Sequence, residues 1–195
     1  KNLSILKISN PEKITEEVVN AELIEYEYPD QHDFPPPDSH KNFDADAFVS
    51  IDDSLYIITK NRTSPFTGYA RIYRLPSIAG KHTALLIDSL YLGNGQMMKH
   101  WVTSADVSPD GQLLALLSHD CMWIVSDFHN KQFSKGQLFK IELDDFSHKA
   151  GICFASNTLI YIVDELEFRF LGGKMYAFDL EKISKTIRQA RADTP

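Results

Sequence analysis

Apolar residues recur along this chain in short runs of five to eight, alternating with polar residues and punctuated by Gly, Pro, Asn and Asp. Period-two alternation bounded by turn formers predicts β-strands. Helical spacing is confined to the end, where Leu180, Ile183, Ile187 and Ala190 predict a short helix or tail over residues 179–192. The longest interruption is residues 28–38, which hold Pro35, Pro36 and Pro37 in a row. Proline lacks an amide donor and prefers an extended backbone, so this stretch reads as a surface connection. Tyr26, Tyr28, Phe34 and Phe43 surround it, and such a proline and aromatic protrusion either packs down onto the wheel or forms a binding edge.

Three eleven-residue units align without a gap, starting at Val49, Val107 and Cys153. Each is an apolar strand end, a polar tight turn and a second apolar strand. The turns are Asp52-Asp53, Asp110-Gly111 and Ser156-Asn157, built from residues that tolerate the positive φ of a tight hairpin. The units recur after 58 and 46 residues, close to the length of a four-stranded propeller blade. A β-sandwich or open meander would show similar strands but has no reason to repeat one motif. The sequence therefore predicts an all-β chain, a single partial β-propeller domain over residues 1–195 with about three and a half four-stranded blades. Residues 1–28 are a blade remnant, with strands at 2–8 and 17–28. Blades follow at 43–92, 101–144 and 148–180, then a tail at 181–195. The complete wheel is expected to have six to eight blades.

The net charge of −7 opposes a nucleic-acid backbone or an anionic membrane as partner, because both need a basic face. No apolar run reaches the length of a membrane helix. Cys121 and Cys153 lack CxxC spacing and sit in apolar runs, which predicts buried free thiols. There is no GxSxG elbow, Walker motif or dinucleotide fingerprint, so the sequence leans away from an enzyme.

The first strand of each propeller blade lines the central channel. Alternation places Asp44, Asp46 and Phe48 on one face, and the repeat alignment places Val102, Ser104 and Asp106, then His148, Ala150 and Ile152, on the equivalent faces. Asp44, Asp46 and Asp106 are candidate calcium ligands, since calcium takes six to eight oxygens. Ser104 and His148 are further channel-facing candidates. The competing reading is that these aspartates accept hydrogen bonds from neighbouring blade backbones and hold the wheel together.

The stretch Val102 to Gly111 resembles the VTGADxSPDG signature of uncharacterised bacterial β-propeller proteins. Asp44 to Val49, followed by Leu55 to Lys60, is similar to their DAEAL…LYIVTK segment, and Ile72-Tyr73-Arg74-Leu75 to their vYrl strand. The resemblance runs from about residue 26 to 180. It implies a larger wheel of WD40-like, YVTN-like or phytase-like architecture in an exported, periplasmic or extracellular protein, without an established activity. Two positions depart from the pattern: Asp46 replaces a glutamate, and Gly151 stands where an acid is common. The expected function is a binding scaffold for a protein or small-molecule ligand. The alternative is a calcium-dependent hydrolase, of the propeller lactonase or phytase type, that uses the channel aspartates.

Overall fold

A computed structural model describes residues 3–167 and 171–182. The chain opens with an antiparallel pair, β1 (Leu3–Lys7) and β2 (Glu22–Glu27). Next come β3 (Asp44–Ile51), β4 (Ser54–Lys60), β5 (Tyr69–Pro76), β6 (Gly80–Thr83) and β7 (Leu85–Tyr91). Strands β3, β4, β5 and β7 form an antiparallel sheet in that order, while β6 leaves it to pair in parallel with β2. The next sheet is β8 (Ser104–Val107), β9 (Leu114–Leu117), β10 (Cys121–Ser126) and β11 (Gln137–Glu142), again in chain order. The last is β12 (Lys149–Phe154), β13 (Leu159–Asp164) and β16 (Met175–Asp179), with a small hairpin of β14 (Leu166–Glu167) and β15 (Leu171–Gly172) inserted before its third strand.

The first strands lie side by side, β3 against β8 and β8 against β12. Successive up-and-down sheets that share an inner edge in this way are blades arranged around an axis. The second strands β4 and β9 are buried on both faces, and period-two alternation divides their residues between two neighbours, whereas β13 buries Ile160 and Ile162 on one face and leaves Val163 exposed on the other. Leu114 and Leu116 of β9 pack with Val49, Tyr56, Ile58 and Ile72 of the preceding sheet. Ala115 and Leu117 of the same strand pack with Ile152, Ile160 and Ile162 of the following one. Leu55, Ile57 and Tyr73 meet Ile24 and Tyr28 on the far side. Each fully buried Leu or Ile contributes about 1.5–3 kcal/mol, so these contacts between blades carry the fold.

The repeated hairpins form as the alignment predicts, but not all by the same chemistry. Asp52 and Gly111 take positive φ, at 52° and 70°. Asn157 does not. The third turn is closed instead by the Ser156 hydroxyl, which accepts from the amides of Thr158 and Leu159. Asn157 reaches across to accept from the Asp110 amide at 3.1 Å, tying two neighbouring turns. The fourth strand of this blade, β7, is preceded by β6, an excursion toward the first sheet. Residues 180–182 open a helical turn, and the rest of the expected C-terminal helix lies outside the described residues.

Candidate functional site

A cleft of about 440 Å³ opens at one end of the inner strands, where three consecutive sheets meet. The first of these sheets gives Asp46 and Lys60, the second Trp101, Thr103 and His119, and the third His148, Lys149, Ala150 and Glu165. Lys60 ends β4, and His119 and Glu165 each lie just past the corresponding second strand, so the same turn of the blade supplies a polar residue three times.

Each side chain is fixed by its own partners. Lys60 is nearly buried and pairs with Asp46 across a bulge at the start of β3. Trp101 donates from Nε1 to the Asn61 carbonyl at 2.8 Å, and the Arg62 guanidinium lies 4.5 Å from the ring centroid. His119 packs against Phe146 and His148, with ring centroids 5.5 and 5.3 Å away. The His119 Nδ1 lies 3.2 Å from the Ser147 carbonyl; an acceptor there requires Nδ1 to carry the proton and leaves Nε2 as an acceptor. Burial holds the His119 pKa below its ordinary value; the Ser147 bond opposes this, and the nearby charges of His148 and Lys60 add to it. Lys149 is buried, and its ammonium donates to Asp145 Oδ1 and Ser147 Oγ, both at 2.7 Å, and to the carbonyls of Asp145 and His119.

The structure brings Asp46 and His148 into the cleft and leaves the other sequence candidates elsewhere. Asp44 pairs with Arg62 at 2.6 Å. Asp106 Oδ2 accepts from the Phe154 amide at 2.7 Å, and Ser104 Oγ from the Ile152 amide at 3.2 Å. These two bonds stitch β8 to β12, so Asp106 and Ser104 do what the competing reading expected of channel aspartates. Asp44, Asp46 and Asp106 thus have three separate engagements, and among the described residues no group of three or more His, Cys, Asp or Glu could hold a metal. The oxygen set that calcium requires is not assembled from them.

Alternation fails in two of the equivalent positions. Val102 precedes β8 and is fully buried in the core. A bulge between Lys149 and Gly151 shifts the register of β12, so Ile152 turns into the core and Cys153 is exposed rather than buried. The position where an acid was expected, Gly151, has no room for one: a Cβ there would sit 2.7 Å from Val163 Cγ2. Sequence reasoning passed over Lys60, Lys149 and Glu165, and read His119 as a satisfied loop histidine. Extending the ungapped repeat two residues beyond Thr59, Leu117 and Val163 takes in Lys60 and ends on Asn61, His119 and Glu165, so the signal was available for Lys60, His119 and Glu165.

Among the described residues no helix is long and apolar enough to cross a membrane. No family model matches the chain, and no curated protein does. Eight chains of solved structures match; one is the crystal structure of the Saccharomyces cerevisiae Sqt1, with a TM-score of 0.41 and 11% identity. The match covers 70% of this chain and 35% of that one, so this chain spans about a third of its length. The architecture stands on the strand order and blade packing themselves: the chain is all-β, a set of consecutive blades of a β-propeller.

Proposed function

We propose that this chain is a binding module whose ligand seats in the cleft where the three blades meet. The observation that carries this reading is the convergence of side chains from three sheets on one mixed polar and aromatic depression. Clefts of that size with a few convergent polar groups are where propellers and other rigid scaffolds take ligands. The proline and aromatic rim of residues 28–38 lies beside the same end of β3, where Phe34, Pro36, Asp44 and Arg62 line a second depression.

A screen of small fragments and short peptides read by Trp101 fluorescence tests this. Trp123, the other tryptophan, is buried. Binders are expected to lose affinity for Ala150→Trp, which fills the cleft from an exposed position. Binders that hold equally well to that variant would place recognition elsewhere. Among the described residues no ligand set is assembled that would support a calcium-dependent hydrolase. Calcium or chelator is expected to leave the melting temperature in place, whereas a shift of about 5–10 °C at a hundredfold excess over Kd would return that reading to first place.

A further inference from the structure

The cleft's formal charges balance, with Asp46 and Glu165 against Lys60 and Lys149, but their exposure does not. In the Lys60–Asp46 pair the lysine side chain is 9% exposed and the aspartate 47%. In the Lys149–Asp145 pair the figures are 2% and 43%. In both, the cation is the buried partner; of the two carboxylates Asp46 lines the cleft and Asp145 does not.

The donors are also spent inward. Lys149 uses its ammonium on four acceptors, Trp101 donates to Asn61, and the Thr103 hydroxyl donates to the Leu117 carbonyl. What remains toward a ligand is acceptors: Asp46 Oδ1, the exposed carboxylate of Glu165, and Nε2 of neutral His119. Among the described residues the Glu165 side chain makes no hydrogen bond or ion pair, although its backbone amide is held by the His148 carbonyl at 2.9 Å. The Trp101 ring already carries the Arg62 guanidinium at 4.5 Å and the Lys60 ammonium at 6.0 Å from its centroid, so the open acceptors, rather than this ring, are what a ligand meets.

We infer that the cleft receives a cationic side chain of a partner protein, the ammonium of a lysine or the guanidinium of an arginine. This rests on the binding-module reading and gives it a ligand chemistry. An anion would meet outward carboxylates and find the cations engaged below. A cation meets open acceptors, and the net charge of −7 draws it in.

The test uses four blocked tripeptides, acetyl-Gly-X-Gly-amide with X as Arg, Lys, norleucine or Glu, titrated against the whole chain by Trp101 fluorescence. Saturable binding is expected for Arg and Lys only. It should weaken at least tenfold in Glu165→Lys and on raising the salt about tenfold. Glu165 is exposed and among the described residues its side chain makes no hydrogen bond or ion pair, so this variant should keep its fold, checked by its melting temperature. Equal or tighter binding of the norleucine or Glu peptide would overturn the inference, as would no saturation by either cationic peptide. Methylguanidine binding as tightly as the Arg peptide would overturn the partner-protein source by making a small free cation the ligand. If fragments still titrate the cleft in a manner blocked by Ala150→Trp while cationic peptides do not bind, the module reading stands alone. If nothing binds there, both fall.

Discussion

At the scale of single residues, exposure decides chemistry that composition leaves undetermined. Cys121 lies in the core, and burial pushes its thiol up to about 12, whereas Cys153 is exposed on β12. One thiol is expected to react with an aromatic disulfide reagent in the native protein and two after unfolding; two fast native reactions would mean that Cys121 is reached without unfolding. His119 offers a second case. Its folded pKa is held below the ordinary 6.5 chiefly by burial, so on acidification the unfolded chain takes up that proton first. The stability that His119 contributes is therefore full above about pH 6.5 and is lost as pH falls through that value toward the lower folded pKa. His119→Gln is expected to reduce the drop in melting temperature between about pH 7.5 and about 5.5. An undiminished drop would assign the acid sensitivity to other groups.

At the scale of elements, the inner strands are joined by side chain to backbone bonds. Asp106 and Ser104 of β8 receive the amides of Phe154 and Ile152 on β12, which have no ladder partner on that side. Removing a charged acceptor from a partly buried amide costs about 1–3 kcal/mol. Asp106→Ala is therefore expected to lower the melting temperature by several degrees, while Asp106→Asn, which keeps an acceptor oxygen, recovers most of the loss. If alanine and asparagine behave alike, the bond contributes little and packing alone holds the two blades. The same bonds explain why these positions looked like site residues in the sequence. A polar residue recurring on an inner strand has the same pattern whether it binds a ligand or the next blade.

At the scale of the molecule, β6 fastens the first sheet to the second. It leaves the blade after β5, pairs with Ile24 to Glu27 of β2 in parallel register, and returns to form β7. The ammonium of Lys7 donates to the Ser77 carbonyl at 2.9 Å beside it. Replacing Gly80–Thr83 with a flexible glycine and serine linker is expected to speed amide exchange in β1 and β2 and to leave β8–β11 unchanged. Uniform loosening of all sheets would show instead that the wheel unfolds as one unit.

Local pattern was enough for the repeat, the strands on either side of each repeated turn, and two of the three turns. Alternation and turn chemistry act over a few residues, and an ungapped motif states them three times. The tertiary structure decided what depends on distant partners. It set the two bulges that break alternation at Asp46 and Lys149, the departure of β6 to a strand more than fifty residues earlier, and the burial of Val102 and Ile152 against other blades. It also decided which of the recurring polar residues face the cleft. Asp46 and Asp106 fall on the same predicted inner face along the chain, yet one lies over a buried lysine at the cleft and the other is taken by a neighbouring amide. That choice depends on what stands opposite each carboxylate in three dimensions, which no local pattern records.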